Sequence, residues 1–540
     1  MDKKVNIKFS IIAVICIIIL SIAISPISLQ NDTFYTIKIG EHILENGIDM
    51  QDPFSWHEDL PYTYPHWAYD VGMYLIYSVG GQTGIYISTI SLCSALGIIL
   101  YFASKKMSKN SIVSFIVAMG VIYLLREFVA ARAQLLTFSL FALTIYFIEL
   151  FLETKKKRYA IGLIIIPIVI ANVHLAVWPF YFILFLPYIG EYIIYHFTNI
   201  DTYMRKFNIW RIKRKINKAS EEKILLYNEK INKIEEKNLK SQNKKDKIRK
   251  NPYKLIIKEN KNVKWLILIA ILCIATGLLT PLGTTPYTYL YDTIQGTTTK
   301  NISEHLPLTL IQNKEFICVI VMFLAILIFT DTKIRLKDFF MMAGLLYLSF
   351  KTRRQVSMFI LICSYILINL VDSIFKKYDP ERCKKLKEVC TKSLGAIVLI
   401  ALVITISIVL IKPKIGEKFV NESSYPVQAS EYILENLDIE NIKLYNGYNY
   451  GSYLLFKGIP VFIDSRADLY APEFNGGKDI FKDFINISGI ATDYEAKFEE
   501  YGITHVMLYK NEKLNILISK NSNYTSIYDD NIFCIYERNK

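Results

Sequence analysis

Asp32 is the acidic residue whose position most directly indicates chemistry. It stands a few residues beyond an apolar run of about 20 residues, Phe9 to Leu29, and a helix of that length crosses the hydrocarbon core of a bilayer. A carboxylate at the membrane surface could act as a general base that takes a proton from an attacking hydroxyl. Asp is also a common helix N-cap, and a helix is predicted from Thr33 to Glu45. The sequence leaves both roles open.

The surrounding segment, residues 29–83, is predicted to be a long ordered loop on the outer face of the membrane. It holds His66 and Asp70, which could supply a second acid or a metal ligand. The alternative is a tight turn that is packed by Trp67. An amphipathic stretch from Val71 to Val79 follows, and it is expected to lie in the membrane interface.

Basic residues cluster where the predicted topology should place few of them. Arg132 precedes one span, and Lys351, Arg353 and Arg354 stand between two others on the outer side. Lys and Arg are ordinarily retained in the cytoplasm, so cations outside need an anionic partner. The guanidinium fork matches the oxygens of phosphate, which makes this set a candidate phosphate site. The alternative for residues 351–354 is a different span boundary that leaves them in the cytoplasm.

Three more polar residues stand in predicted outer segments. His174, at the end of a span, could hydrogen-bond a sugar or transfer a proton, or it could be satisfied by its neighbours. Glu304 could be a second carboxylate on the same cavity or a solvated loop acid. Glu127 is an evident partner for one of the two arginines nearby, Arg126 or Arg132, and leaves the other cation unpaired.

These residues are carried by a chain of 540 residues that is 52% hydrophobic, with its apolar residues in long runs. Such runs are typical of an α-helical polytopic membrane protein, and about eleven spans are predicted, of which the ninth is short. The spans lie near residues 9–29, 84–103, 111–125, 133–152, 159–177, 178–196, 264–281, 315–330, 338–350, 354–371 and 394–411. A transmembrane domain is therefore expected over residues 1–412.

The net charge of +14 is concentrated in one segment. Residues 205–261 carry 20 Lys and Arg against 7 Asp and Glu, with Ile and Leu at helical spacing and without the regular interleaving of aromatic residues that base stacking needs. Residues 197–263 are therefore predicted to be a basic helical insertion in the cytoplasm near anionic lipid, and nucleic acid is not expected as a partner. Threading the spans places the N-terminus on the same side as this insertion.

Neither a metal site nor a disulfide framework is indicated by the eight scattered cysteines. The sequence leaves a cofactor unknown: a divalent metal is compatible with it, but no spacing argues for one. P-loop, G-x-G-x-x-G, H-E-x-x-H and G-x-S-x-G motifs are absent from the sequence. The usual basis for nucleotide-driven transport and for serine hydrolysis is therefore missing.

Residues 413–540 are predicted to form a small α/β domain outside the membrane. Its predicted elements are helices at 427–437 and within 481–501, and strands at 442–445, 453–456, 460–464, 505–509 and 533–536. Asp464, Arg466 and Asp468 follow the end of one predicted strand, where α/β sheets often bind ligands. The alternative for these three residues is an internal salt bridge that fixes the loop.

Short motifs stand in a characteristic order along most of the chain. They are D32-T-F-Y-T-I-K-I-G-E-H-I-L-E-N-G, D52-P-F-S, P65-H-W-A-Y-D, R132-A-Q-L-L-T-F, A171-N-V-H, I302-S-E-H-L-P, T352-R-R-Q, Y445-N-G-Y-N-Y-G-S-Y-L-L and P460-V-F-I-D-S-R-A-D-L-Y. Together they resemble the membrane-embedded glycosyltransferases of the GT-C superfamily, in particular a bacterial protein-mannosyltransferase-like group that uses lipid-linked sugars. The resemblance covers nearly the whole chain apart from residues 205–261.

This resemblance implies inverting transfer of a sugar from a polyprenyl-phosphate donor to a hydroxyl of a glycan, lipid or protein acceptor on the outer face of the membrane. It carries the catalytic base onto Asp32 and the lipid-phosphate ligands onto Arg353, Arg354 or Arg132. Two other functions are compatible with the sequence: a non-enzymatic scaffold or sensor whose external domain binds cell-wall glycan, and a transporter of lipid-linked sugars.

The chain departs from the pattern of the GT-C group in three places. His66-Trp67 and Glu304-His305 stand where Glu-Trp pairs are common, and Gly451-Ser452 stands where Gly-Gly is common. The first change removes an acid from the turn after the first loop helix, so the resemblance assigns that turn no acid.

Overall fold

The computed structural model of the protein describes residues 2–217, 220–250, 254–296 and 301–539. The chain is mostly helical, and within these ranges six helices are long and apolar enough to cross a membrane. They are Lys3–Ile24, Trp67–Ser108, Ala133–Thr154, Leu175–Thr198, Arg353–Tyr378 and Ser393–Lys414. The helical, multi-pass character that the apolar runs predict is therefore confirmed.

The other five predicted spans coincide with shorter apolar helices. Their lengths run from 12 residues, at 263–274, to 17 residues, at 157–173. At 1.5 Å per residue even the longest of them spans about 26 Å, which is less than the roughly 30 Å of a bilayer's hydrocarbon core. Every predicted span thus overlaps an apolar helix, but only six helices reach the full crossing length.

The helices before the C-terminal domain form one bundle. In chain order they are α1 (Asp2–Ile24), α2 (Asn31–Asn46), α3 (Trp67–Ser108), α4 (Ser111–Leu124), α5 (Ala133–Thr154), α6 (Lys157–Val173), α7 (Trp178–Ile183), α8 (Leu186–Thr198), α9 (Ile200–Ile216), α10 (Glu221–Lys250), α11 (Val263–Ile274), α12 (Thr285–Gln295), α13 (Lys314–Phe329), α14 (Leu336–Lys351), α15 (Val356–Tyr378), α16 (Arg382–Thr391) and α17 (Ser393–Ile411). Helices α5 and α15 are the most buried of the six long helices, and α17 is the most exposed.

The first loop begins with α2, which confirms the helix predicted after the first span. Gln30 is its N-cap and Gly47, at a φ of 82°, follows its last residue. Asp32 therefore lies in the first turn, and the alternative role as N-cap is wrong, because the helix starts one residue earlier and the Asp32 carboxylate is held by Arg132. Gly40 lets α2 approach α3, since a Cβ there would meet the backbone oxygen of Asp70 at 2.1 Å.

The predicted amphipathic stretch of the first loop forms the start of α3. This helix continues into the membrane-length segment, but the backbone breaks at Gly81, whose φ of 56° and ψ of −149° are not helical. Glycine tolerates this conformation without the steric cost that a side chain adds. The amphipathic part and the apolar part of α3 are thus two arms joined at a kink.

The basic insertion consists largely of α9 and α10, which pack against each other. After α10, strand β1 (Leu255–Ile256) pairs in parallel with β2 (Ile334–Arg335). The predicted insertion also includes residues 218–219 and 251–253, and the predicted outer loop 281–314 includes residues 297–300. These residues lie outside the described ranges.

The C-terminal part is a small sheet flanked by helices. Its strands are β3 (Leu444–Tyr445), β4 (His505–Tyr509), β5 (Tyr524–Asp529) and β6 (Phe533–Arg538), and its helices are α18 (Val427–Asn436), α19 (Tyr448–Phe456), α20 (Pro472–Asn475), α21 (Ile480–Ser488), α22 (Tyr494–Tyr501) and α23 (Lys513–Ile518). The strand order is β3-β4-β6-β5, with β3 parallel to β4 and the other pairs antiparallel. Predicted strands at 442–445, 505–509 and 533–536 are confirmed, although the first is shorter than predicted.

Two predicted strands of this part are wrong. Residues 453–456 lie in α19, because a short apolar run fits a buried helix as well as a strand. Residues 460–464 form no strand, and Val461 instead makes an isolated parallel bridge with Ser55 of the first loop. Asp464 and Arg466 therefore do not follow a strand end.

The first loop and the C-terminal part share one apolar core. Phe34 of α2 makes edge-to-face contacts with Tyr425 and Tyr453, at ring-centroid distances of 5.0 and 5.2 Å. Helix α2 packs along α19, so each covers apolar surface of the other. Trp56 adds a hydrogen bond from its Nε1 to the carbonyl oxygen of Leu444, at 3.0 Å. These contacts hold the first loop against the C-terminal part.

Candidate active site

A cavity of about 340 Å³ opens between the first loop, the N-terminal end of α5, the C-terminal end of α6, and the C-terminal part. Its size falls within the range of small-molecule sites in proteins. Of the sequence-predicted site residues, eight line it: Asp32, His66, Arg132, His174, Glu304, Arg354, Arg466 and Asp468. These residues come from widely separated parts of the chain, so the fold alone brings them together.

Arg132 lies at the centre of the charged side of this cavity. It is the N-cap residue of α5, and its Nη2 atom is 2.9 Å from Oδ2 of Asp32 while its Nη1 atom donates to Oε1 of Glu304 at 3.1 Å. Burial alone would lower the pKa of Arg132, but the two carboxylates raise it above its ordinary value. One guanidinium group thus balances part of the negative charge of both Asp32 and Glu304.

Asp32 reaches Arg132 from the first turn of α2. Its side chain is 23% exposed, so the carboxylate faces the cavity while its helix is packed on α3 and α19. The second oxygen, Oδ1, accepts no hydrogen bond from the residues that the structure describes. An incoming hydroxyl can therefore approach that oxygen without displacing a protein group.

Glu304 completes the ion-pair group from a short 3₁₀ turn, Ser303–His305. Burial raises the pKa of this carboxyl, but Arg132 and Arg354 outweigh the effect and hold it below the ordinary value. Glu304 is therefore an ionised carboxylate on the cavity, and because its side chain is 46% exposed it also fits the alternative of a solvated loop acid.

The three cations at 351–354 occupy different environments. Arg354 lines the cavity, whereas Arg353 lies beside it and donates its backbone N–H to the carbonyl oxygen of Leu306 at 3.0 Å. The Nε of Arg353 is buried and has no hydrogen-bond partner among the described residues. Lys351 is the exposed last residue of α14 and does not line the cavity. Only Arg354 of this group directly faces the same space as Arg132.

His66 and His174 lie next to each other and line the cavity. Their rings are 5.0 Å apart, and Nδ1 of His174 is hydrogen-bonded to Oγ1 of Thr137 at 2.9 Å. Burial, followed by the charges of Arg354 and Arg132, lowers the pKa of His66 to about 3. His66 is thus neutral at physiological pH, which suits hydrogen bonding to a polar ligand better than charge pairing.

Asp70 lies behind the cavity wall. It is completely buried in the first turn of α3 and does not line the cavity. Its backbone N–H bonds to the carbonyl oxygen of His66, so it belongs to the turn that positions that histidine. The structure favours the turn role over a direct role as a second acid.

Asp464 and Arg466 form a buried ion pair, which is the alternative that the sequence left open for them. Nη2 of Arg466 is 2.7 Å from Asp464, and its Nη1 donates to Asp52 of the first loop at 2.6 Å. Tyr470 also donates to Asp464, at 2.5 Å. This group fixes the C-terminal part onto the first loop, and Arg466 is its member that lines the cavity.

Asp468 is separate from that pair and faces the cavity. The hydroxyl of Tyr289, in α12, donates to its Oδ2 at 2.5 Å. Tyr448 of α19 also lines the cavity. Aromatic faces beside a carboxylate provide the stacking and hydrogen-bonding groups that a sugar ring uses.

Arg126 lies outside the cavity and pairs with Glu127, as predicted for one of the two arginines, but more closely with Glu315. Its guanidinium makes two hydrogen bonds to Glu315 of α13, at 2.7 and 2.9 Å. The predicted partner, Glu127, is farther away at 3.7 Å. The bidentate geometry with Glu315 explains the preference.

No metal site accompanies these residues within the described ranges: they contain no group of three or more His, Cys, Asp and Glu side chains that could hold an ion. All eight cysteines are free thiols. The candidate site is thus a set of carboxylates, guanidinium groups and neutral polar groups.

Sequence reasoning missed Asp52 and Tyr289 as members of this region. Asp52 stands in the sequence only as part of the D52-P-F-S motif, and Tyr289 belongs to none of the motifs. Asp52 and Arg466 are 414 residues apart, so spacing could not reveal their contact. The only sequence indication of a role for Asp52 was its place in D-P-F-S, one of the first-loop motifs that carry the family resemblance.

Comparison with known proteins supplies no family for this chain: no family model matches it, and no characterised protein matches it significantly. The cavity, with Arg132 between two carboxylates and Arg354 beside them, is therefore interpreted from its own chemistry.

Proposed function

We propose that the protein is a GT-C-type membrane glycosyltransferase that moves a sugar from a polyprenyl-phosphate donor to an acceptor hydroxyl at the outer face of the membrane. The observation that carries this proposal is the convergence of Asp32, Arg132, Glu304 and Arg354 on one cavity beside the helical bundle. A base and two phosphate-binding groups are the minimum that such a transfer needs.

The proposed reaction is a direct displacement at the anomeric carbon. The acceptor oxygen forms the new bond to that carbon, and the bond between the carbon and the phosphate oxygen breaks with inversion. The acceptor proton passes to Asp32, and the bonding electrons leave with the lipid phosphate. Oδ1 of Asp32 is the oxygen open to the acceptor, since Oδ2 faces Arg132.

Arg132 and Arg354 bind the phosphate in this proposal. Negative charge grows on the phosphate as the sugar leaves, and guanidinium groups held nearby stabilise it. A phosphate must compete with Asp32 and Glu304 for Arg132. Binding of the donor then loosens the contact of Arg132 with Oδ2 of Asp32, so less of the carboxylate's charge is neutralised when Oδ1 takes the acceptor proton.

The lipid chain of the donor has a route along the bundle. A second cavity shares Asn31, Arg132, Gln134 and Glu304 with the first and extends between Leu29, Phe128 and Tyr425. An apolar groove of about 500 Å³ is lined by residues of α1, α4 and α17, which precede Leu29, Phe128 and Tyr425 in the chain: Leu20, Met119, Gly120, Tyr123, Val403, Ile406, Val409 and Leu410. In this proposal the isoprenoid chain lies in that groove and the phosphate binds at Arg132.

The proposal requires a membrane arrangement in which the cavity faces outward. We expect the five shorter apolar helices to complete an eleven-span bundle, with the N-terminus and the α9–α10 hairpin in the cytoplasm. The C-terminal part is then extracytoplasmic, where it contributes Asp468 and Tyr448 to the side of the cavity that would hold the sugar or the acceptor.

A donor-binding and turnover experiment tests this proposal. The purified protein in vesicles is incubated with a panel of radiolabelled polyprenyl-phosphate sugars and envelope acceptors, and both bound donor and released polyprenyl phosphate are measured. We expect turnover of at least one donor and loss of donor binding in Arg132→Gln. Arg126→Gln is the matched control, because it removes the same charge outside the cavity. Equal binding and turnover by both variants would refute the proposed site.

A further inference from the structure

Helix α9, in the basic insertion, has an uncovered apolar face that none of the chemistry above uses. Ile193, Phe197, Ile200, Met204 and Phe207 are each more than half exposed. Their spacing of 4, 3, 4 and 3 residues places them on one side of the helical path across the junction between α8 and α9. One exposed apolar track therefore runs from the end of α8 along the first part of α9.

The opposite side of α9 is the one that packs against α10. Thr202, Arg205, Ile209, Ile212 and Ile216 are only partly exposed and again follow a spacing of 3 and 4 residues. Nη1 of Arg205 donates to the carbonyl oxygen of Lys237 in α10, at 3.2 Å. At about 100° per residue these positions lie roughly opposite the exposed track. Covering by α10 thus accounts for one apolar face of α9 and leaves the other open within the described residues.

The uncovered face is bordered by positive charge and ends in aromatic rings. Phe207 and Trp210 stack at a centroid distance of 5.6 Å, and Arg214 lies over the Trp210 ring at 4.4 Å. Lys206, Arg211 and Lys213 add further charges, and no ion pair joins these three to an acid in the described ranges. Apolar and aromatic residues flanked by Lys and Arg are the composition of helices that lie in a membrane interface.

Position along the chain identifies which surface this face meets. Helix α8 ends the candidate span Leu175–Thr198, and α9 starts two residues later, after Asn199. The exposed residues of α8 face lipid if that span is inserted, and the track on α9 continues them without interruption. The face therefore starts at the depth of the lipid head groups.

We propose that α9 lies in the head-group region of an anionic membrane leaflet, on the side predicted to be cytoplasmic, with Ile200, Met204, Phe207 and Trp210 inserted and the flanking Lys and Arg on lipid phosphates. Lys and Arg side chains near an anionic leaflet are attracted to its negative surface potential. This surface anchors the α9–α10 hairpin against the bundle, and it is independent of the proposed sugar transfer.

The test uses the full-length protein reconstituted into vesicles, with Trp210 as the reporter. Its emission is obtained as the difference between the wild-type protein and Trp210→Phe, in phosphatidylcholine vesicles with and without phosphatidylglycerol. The quenchers are iodide in the buffer and brominated acyl chains in the membrane. In anionic vesicles we expect quenching by the brominated lipid and protection from iodide.

Charge variants sharpen the test. Replacing Lys206, Arg211 and Lys213 by Gln should lower the lipid quenching of Trp210 by about twofold or more, because three head-group contacts are lost. Replacing Lys230, Lys233 and Lys240 of α10 makes the same change in charge away from the exposed face and should leave the quenching unchanged.

Four results would overturn the inference. They are full access of iodide to Trp210 in anionic vesicles, equal protection in neutral vesicles, protection that scales with the ratio of protein to lipid, and protection that needs added RNA. The third result would identify a second copy of the chain as the occupant of this face, and the fourth would identify nucleic acid. The wild-type arms require only the conservative Trp210→Phe subtraction, so they decide the question even if the charge substitutions impair folding.

Discussion

Arg132 and Asp32 are 100 positions apart in the sequence and form an ion pair of 2.9 Å on the wall of a polar cavity. The same guanidinium group also holds Glu304. A single cation between two carboxylates is well placed to change partners when an anionic ligand arrives. Under the proposed function, the pair links binding of the donor phosphate to release of the base.

Loss of Arg132 should be costly for activity. Arg132→Gln removes a charge-assisted contact to the donor and leaves two carboxylates facing each other, so we expect kcat/KM to fall by about 10-fold to 100-fold. The initial rate of sugar transfer in vesicles measures it. Arg126→Gln should stay close to the wild-type rate, and a similar loss in both variants would contradict a special role for Arg132.

The cations near the start of α15 should differ in importance. Arg354→Gln should raise KM for the lipid donor about tenfold or more, because Arg354 lines the cavity. Lys351→Gln should have little effect, since Lys351 is exposed at the end of α14 and does not reach the cavity. Titration of donor binding with both variants separates these outcomes. Equal weakening by the two substitutions would contradict the assignment to Arg354.

The buried ion pairs around Arg466 should stabilise the docking of the C-terminal part. Arg466→Met would leave Asp52 and Asp464 buried without their shared cation, which typically costs about 3–5 kcal/mol. Thermal unfolding of the purified protein in detergent measures the loss. Lys418→Gln, in an exposed pair with Glu422, should cost no more than about 1 kcal/mol. Equal losses of melting temperature in the two variants would contradict this stabilising role of Arg466.

Acidification should destabilise the protein through His66. Burial, together with Arg354 and Arg132, lowers the pKa of His66 to about 3, against about 6.5 in an unfolded chain. The unfolded state therefore binds a proton as the pH falls below about 6.5, whereas the folded state does so only near pH 3. Stability is lost progressively between those values, and the melting temperature of His66→Gln should fall less steeply over that window than that of the wild-type protein. An identical pH dependence of the two proteins would contradict burial of a neutral His66.

Much of the helical architecture could be predicted because long apolar runs have few alternatives in structure. The position of α2 followed from helical spacing and from Gly47 after its last turn. Residues 453–456 were predicted wrongly as a strand, since four apolar residues carry too little periodicity to distinguish a strand from the helix that forms. Elements with a long apolar run or a repeated helical spacing could therefore be predicted, and short elements could not.

The candidate site was predictable only in part. Charge and topology placed Asp32, Arg132, Glu304 and Arg354 on the same outer face, and the structure brings these four around one cavity. The contact of Asp52 with Arg466 depends on tertiary packing between distant segments. The spacing of residues in one sequence does not show which distant segments pack together. Residue types therefore indicated the chemistry, while the fold determined the pairings.

The most direct test of the central claim is the rate of sugar transfer by Asp32→Asn beside Asp59→Asn, each purified and assayed in vesicles with saturating donor. Asp59 lies in the same loop, is exposed and does not line the cavity. We predict that Asp32→Asn still binds donor but transfers sugar about 10²-fold to 10⁴-fold more slowly, as loss of a general base requires, while Asp59→Asn transfers at the wild-type rate. Transfer by Asp32→Asn at the wild-type rate would contradict the account.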